Sequence, residues 1–346
     1  LKHTPSSALG SCRYKLADPE KDDTDYKRIL EIFKKYDVRY FFYNGGNDSM
    51  DTCNKISKYM QKVGYECRVI GVPKTIDNDL NGTDHCPGYA SAAKYIATSM
   101  AEVWLDAHVY NTGMVTIVEI MGRHAGWLTA ASELASLSGC GPDLIYMPET
   151  DFDLSDFLDD VGRIYRNTGS CVVAVSEGVH LADGTFVSEG KISATDGFGH
   201  AQLGGLASKL AEAAKLETGA KVRGIELSLL QRCAAHCAST TDIEEAWEAG
   251  AAAVEAAVAG MTDKMVVFKC DREEGAYTCV TALEPLEKAA NVEKKIPREW
   301  INAAGNGVEP PFLDYVLPLI QGDPDVPKEN GMPRFAKLKK VLAKAE

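Results

Sequence analysis

Short apolar runs alternate with amphipathic stretches along most of the chain. Residues 39–43 (RYFFY) form a compact β-type run that ends in Asn44-Gly45-Gly46-Asn47-Asp48-Ser49. Met50, Ile56, Met60 and Val63 then recur near helical spacing and predict a helix over 50–63, followed by a buried strand at 67–72. The same reading continues with helix 89–107, strand 114–120, helix 126–138, strand 144–147, helix 154–167, strand 171–175, helix 200–215 and strand 222–230. Continuous Val/Ile runs between helices predict a parallel sheet covered on both faces, so the fold class is α/β, doubly wound. The alanine-rich stretch 241–261 reads as one amphipathic helix, capped by its threonines, with Ile243, Trp247, Val254 and Val258 as its packing stripe. Two late strands follow at 264–268 and 277–282. After Pro297 the prolines at 310, 311, 318, 324, 327 and 333 break any period and predict a C-terminal arm over the surface.

A chain of 346 residues has room for two lobes of about 150 residues each. With 37 basic against 50 acidic residues the net charge is -13, which argues against nucleic acid as a partner. Small anions remain possible ligands where the few cations converge. No apolar stretch approaches the roughly 20 residues that span a bilayer. The ten cysteines are scattered without a CxxC pair, a usage that suits a reducing cytoplasm. Cys233, His236 and Cys237 invite a metal reading. The lack of a second ligand pair nearby favours two thiols and an imidazole on neighbouring turns of one helix. The start, Leu1-Lys2-His3-Thr4-Pro5, has neither an initiator Met nor a signal core and predicts a further segment upstream.

Ligands of open parallel sheets bind at the carboxyl ends of the strands, where five polar segments fall here. Gly45-Gly46-Asn47-Asp48-Ser49 offers a glycine turn and a helix N-terminus to an anion, though an everyday turn and N-cap would look the same. Lys74-Thr75-Ile76-Asp77-Asn78-Asp79 places two carboxylates beside a Lys and a Thr. One carboxylate can accept a proton from a hydroxyl nucleophile while the other holds a metal. An Asx-rich turn would account for the acids but not for Lys74. Met121-Gly122-Arg123 joins a close backbone approach to a phosphate-binding guanidinium. Ser176-Glu177-Gly178 sets a carboxylate at a strand end for sugar hydroxyls. Arg223 stands at one end of the 222–230 segment, and Gln231-Arg232 at the other.

In this order, GGNDS, PKTIDND, MGR, SEG and QR resemble the phosphofructokinase family, with Ser7–Arg13 similar to its LGS-x-R segment. The likeness runs from residue 7 to about 235, and PKTIDND is its most specific part. It implies two Rossmann-like lobes with the active site between them. Residues 1–88, completed by about 234–300, would form the donor lobe, 89–233 the fructose 6-phosphate lobe and 301–346 the arm.

By resemblance Asp77 is the base that takes the proton of the sugar 1-hydroxyl. Thr75 and Arg13 meet the transferring phosphoryl group, and Gly45 and Gly46 line the donor. Asp79, Asp77 and Asn47 are the metal-side residues for Mg²⁺. Met121, Gly122, Arg123 and Glu177 hold fructose 6-phosphate. Arg223 and Arg232 bind its 6-phosphate, Arg223 from a neighbouring subunit of a dimer or tetramer. Members that use ATP have Gly where this chain has Asp48 and tend to have Gly where it has Lys74. A carboxylate repels the nucleotide's α-phosphate and an ammonium neutralises pyrophosphate, so the pair implies pyrophosphate as donor. The chain departs from the family at Asn47 (usually a metal-binding Asp), Leu229 (usually His or Tyr) and Met114 (in many ATP-type members a subunit-crossing Arg). Rival readings are an ATP-dependent enzyme, a relative acting on another sugar phosphate, and a non-catalytic regulatory subunit.

Overall fold

The computed structural model describes residues 1–12, 14–109, 111–188, 203–290, 292–339 and 341. Arg13 and the start of the expected helix 200–215 lie outside them. In chain order the principal elements are α1 (Thr24–Lys35), β1 (Tyr40–Gly45), α2 (Asn47–Lys62), β2 (Arg68–Pro73), α3 (Tyr89–Ala107), β3 (Met114–Ile120), α4 (Trp127–Ala130), β4 (Leu144–Tyr146) and α5 (Leu154–Thr168). They continue as β5 (Ser170–Ser176), α6 (Leu206–Thr218), β6 (Val222–Glu226), α7 (Thr240–Val258), β7 (Lys264–Asp271), β8 (Thr278–Pro285), α8 (Leu286–Ala289) and α9 (Pro310–Val316).

Two four-stranded sheets result. One runs β1-β2-β7-β8, parallel except for the β7–β8 pair. The other runs β4-β5-β3-β6 and is wholly parallel. Its central strands β3 and β5 are buried at every position, as continuous Val/Ile runs require when helices cover both faces. β1, at a sheet edge, shows alternating burial instead. The architecture is the doubly wound α/β class expected from the sequence, in two lobes.

Four local expectations change. The 222–230 strand stops at Glu226, because Ser228 adopts a left-handed φ of 45° and Ser228–Arg232 winds into a 3-10 turn. Cys233 and Cys237 therefore sit at successive short 3-10 turns and not on one helix. The 126–138 helix is α-helical only over α4 and tightens to a 3-10 helix over Ala131–Ser138. In α7 the packing face is the small one: Ala249, Ala253 and Ala257 pack with Ile70, Val266 and Phe268, while Trp247, Val254 and Val258 are exposed. Alanines let the helix approach the sheet closely, and the larger apolar side chains are left outside.

The C-terminal segment also differs from a surface arm. Phe312, Tyr315, Val316 and Leu319 are buried in the core of the second lobe, where Phe312 and Tyr315 join Trp127 and Trp300 in an aromatic cluster. Among the described residues no helix is long and apolar enough to cross a membrane.

Candidate active site

The carboxyl ends of β1 and β2 carry the first two polar segments, and those of β3 and β5 carry the third and fourth. α2 begins earlier than its apolar period suggests, directly after Gly46, so Asn47 and Asp48 belong to its first turn. Its N-terminal dipole thus opens toward the segment after β2. Lys74 N–H donates to Gly45 O at 3.1 Å and ties the two loops together.

Within residues 74–79 the backbone is held from several sides. Thr75 N–H donates to Pro87 O at 3.3 Å. Asp77 N–H donates to Thr75 Oγ1 at 3.2 Å, and the same hydroxyl lies 3.4 Å from Asp77 Oδ2. Asn78, at φ 56°, is fully buried. Its Nδ2 donates to the Tyr315 hydroxyl at 2.8 Å and its Oδ1 accepts from Cys86 N–H at 2.9 Å. Tyr315 in turn donates to Asp84 O at 2.9 Å. The motif's central amide thus serves as a clamp that aims the carboxylates on either side of it.

Burial pushes the Asp77 carboxyl up, against the Thr75 hydroxyl and the charges of Lys74, Arg123 and His124. Burial, then Asp77 and Glu293, push Asp79 up to about 7. Asn47 Nδ2 donates to Asp79 Oδ2 at 2.9 Å, while Asn47 Oδ1 is buried without a hydrogen-bond partner. An orphaned amide oxygen beside two crowded carboxylates is a donor set that fits a hard divalent cation.

The second lobe brings its own loops to the same place. Gly122, at φ 143°, is required: a Cβ there would meet Ala125 O at 2.6 Å. Gly178 is equally confined, since its Cβ would collide with Arg123 O. Ser176 Oγ donates to Gly122 O at 2.5 Å and Gly122 N–H donates to Glu177 Oε1 at 3.4 Å, so MGR and SEG form one ledge. Burial, with Asp77 and Glu119 nearby, pushes Glu177 up to about 7 in opposition to Gly122 N–H and Arg123. The charge of Asp77 acts on Glu177 and that of Arg123 on Asp77, so Asp77 and the ledge lie close together where the two sheets' carboxyl ends meet.

Gln231 is buried and accepts from Met121 N–H at 3.2 Å, which ties the turn that carries the exposed Arg232 to the ledge. Arg223 is not brought there. It pairs with Thr116 on β3, roughly 16 Å of extended strand before Met121, and is exposed on the edge strand β6. It lines a separate groove of about 530 Å³ with Tyr95, Ser99, Glu102, Met114 and Thr116.

Sequence reasoning missed three groups at the cleft. Glu293 adds charge to Asp79. Lys294 N–H donates to Asp79 O at 2.7 Å, and its Nζ donates to Asp84 O at 2.6 Å. Tyr315 clamps Asn78. None has a local signature; each is a consequence of long-range packing.

A family profile described as Phosphofructokinase matches residues 1–257. A pyrophosphate–fructose 6-phosphate 1-phosphotransferase of Halomonas elongata is 46% identical over 343 residues, covering 98% of this chain and 81% of the relative. Among solved structures, a pyrophosphate-dependent phosphofructokinase from Nitrosospira multiformis superposes with a TM-score of 0.88 at 39% identity, over 100% of this chain and 82% of that one. One from Marinobacter aquaeolei gives 0.85 at 40% identity, over 99% and 81% respectively.

Proposed function

The chain belongs to the phosphofructokinase family, and on that premise we propose that it transfers a phosphoryl group reversibly from pyrophosphate to the 1-hydroxyl of fructose 6-phosphate. The observation that carries this reading is the meeting of both sheets' carboxyl ends at Asp77, with the Arg123–Glu177 ledge on one side and the start of α2 on the other.

Asp77 takes the hydroxyl proton. Its raised pKa supports the role, because a carboxylate of higher proton affinity is the better base. Thr75 Oγ1 keeps the carboxylate aimed and faces the phosphoryl group. Arg123, Arg232 and the Met121–Gly122 backbone hold the sugar phosphate, and Glu177 meets its hydroxyls. Gly45 and Gly46 let the donor approach the N-terminus of α2, and Lys74 neutralises its charge. Arg13 belongs to the phosphoryl-facing group by family likeness. Asn47, Asp77 and Asp79 would hold Mg²⁺, which when bound screens the oxygens of the transferring group.

Asp48, in the first turn of α2, supports pyrophosphate over ATP because it adds bulk and like charge where a nucleotide's α-phosphate would pass. The relatives named for pyrophosphate point the same way. Arg223, exposed on an edge strand and remote from its own cleft, supports a homo-oligomer in which it serves a neighbour's sugar phosphate.

The test is an assay of the full-length protein in both directions with pyrophosphate and ATP compared. Turnover with pyrophosphate and little or none with ATP is expected, and Asp48→Gly with Lys74→Gly should shift use toward ATP. Preference of the wild type for ATP would refute the donor assignment.

A further inference from the structure

Behind the loop that carries Asp77 lies a cluster of polar groups that the phosphoryl-transfer reading leaves unused. Cys270 and Cys279 are register partners on the antiparallel pair β7–β8. Two residues earlier on β7, Phe268 N–H donates to Thr83 Oγ1 at 2.9 Å and Phe268 O accepts from Asp84 N–H at 3.0 Å. Both polar groups of Phe268 thus point away from β8, so Phe268 and Thr281 form a non-hydrogen-bonded pair. By the alternation of antiparallel ladders, Cys270 and Cys279 do too. Such pairs have Cα atoms about 4.5 Å apart, inside the roughly 4.4–6.8 Å that a disulfide tolerates. Both side chains pack on the same apolar patch as Phe268, so they lie on one face of the ribbon, and both are half-buried free thiols.

The surroundings make the two thiols unequal. His85 is fully buried between Asp84 Oδ1 at 3.0 Å and Glu245 Oε2 at 2.7 Å, with Cys270 Sγ 3.8 Å from its Nδ1. Burial works against its charge, but bonds to Asp84, Cys270 and Glu245 prevail and raise the imidazole to about 10. The Tyr277 hydroxyl lies 3.5 Å from Cys270 Sγ. The neighbouring Cys279 thiol, then His85 and Tyr277, outweigh burial and lower Cys270 to about 6, whereas Cys279 is pushed up. Burial raises Cys53, Cys67 and Cys86 to about 12, 11 and 12. Asp84, His85 and Cys270 also present ligand atoms within 4.8 Å of one another, as a metal site would. Arg272, however, clamps both Asp84 oxygens at 2.8 and 2.7 Å, which sets a second cation there against a fixed positive charge.

We propose that Cys270 and Cys279 form a reversible dithiol–disulfide site, with Cys270 as the attacking thiolate and a peroxide as oxidant. The Cys270 sulfur attacks one peroxide oxygen, the O–O bond breaks, and the leaving oxygen departs with a proton as water or alcohol. The resulting sulfenic acid is attacked by Cys279, which loses its proton; the S–O bond breaks, the S–S bond forms and water leaves. Two thiols lose two electrons and the peroxide gains them. As register partners on one face of the ribbon, the two thiols can close without a change of ladder register.

The experiment uses the reduced full-length protein, hydrogen peroxide, alkylation and peptide mass spectrometry. A Cys270–Cys279 cross-linked peptide should appear with peroxide and vanish with dithiothreitol. In Cys279→Ser, dimedone should label Cys270. With limiting iodoacetamide at neutral pH, wild-type Cys270 should react about two- to threefold faster than the exposed Cys233. Absence of the cross-linked peptide, stable sulfenic acid at Cys270 in the wild type, or alkylation no faster than at Cys233 would each overturn the proposal.

Discussion

At the scale of single residues, the proposed chemistry rests on carboxylates whose proton affinity their surroundings raise. Asp77 is pushed up by burial and restrained by Thr75, Lys74 and Arg123. Replacing it by Asn keeps the size and the Thr75 contact but removes the proton acceptor. Asp77→Asn should therefore lower kcat by about 10²–10⁴ and leave the KM for fructose 6-phosphate nearly unchanged, as steady-state kinetics will show. Asp79 gives a different signal. Its folded pKa of about 7 lies above the ordinary carboxylate value. Its contribution to stability is therefore full at low pH and is lost as pH rises from about 4 to 7. In the metal-free protein Asp79→Asn should raise Tm by an amount that grows across that window and then levels off. Wild-type affinity for Mg²⁺ should rise over the same window, since the cation competes with the proton, and the variant should lose this dependence. Thermal melts with and without Mg²⁺ at several pH values read both effects. These two aspartates stand in one short motif, which is why the sequence exposes them. Glu293, which raises Asp79, and Tyr315, 237 positions from Asn78, are invisible to local spacing.

Elements were legible where burial is symmetrical and obscure where it is not. β3 and β5 bury every residue and announce themselves as apolar runs, and α3 starts and stops where its pattern does. α7 misleads because its amphipathicity is inverted: close packing on the sheet selects alanine, so the large residues point outward. α9 has only seven residues and opens with two prolines, too short for a period to register, yet it supplies buried Phe312 and Tyr315. That short helix holds the loop that carries Asp77 and Asp79. Tyr315→Phe keeps the ring in the Trp127 cluster but cuts the bonds to Asn78 Nδ2 and Asp84 O. An unsatisfied buried amide costs about 1–3 kcal/mol, so a lower Tm is expected. Since the loop loses aim and the ledge proposed to hold the sugar phosphate is untouched, kcat should fall while the KM for fructose 6-phosphate stays near its wild-type value. A rise in KM with unchanged kcat would place Tyr315 outside the positioning of Asp77.

For the whole molecule, the question is whether one chain completes one site. The cleft draws on both sheets, but its own Arg223 lies well back along β6, exposed, and among the described residues makes no ion pair. On the proposed reading, Arg232 alone would give a sugar phosphate dianion one guanidinium beyond Arg123. A second from a neighbouring chain could add two charge-assisted hydrogen bonds, each typically ~1.5–3 kcal/mol. Arg223→Ala should therefore raise the KM for fructose 6-phosphate far more than that for pyrophosphate. Complementation separates a partner's arginine from a chain's own. Asp77→Asn and Arg223→Ala proteins, each nearly inactive at fructose 6-phosphate well below the raised KM, would be dissociated together and reassembled. If Arg223 serves the neighbour, a mixed pair gathers both lesions in one site and leaves the facing site intact, so activity returns. If Arg223 serves its own chain, every site in the mixture carries one lesion and activity stays low, provided that mass analysis shows the mixed oligomers to have formed. Met114, buried at the start of β3 and lining the groove beside Arg223, sharpens the test. An apolar side chain there supplies no second crossing charge, so recovery in the mixed oligomer would have to come through Arg223.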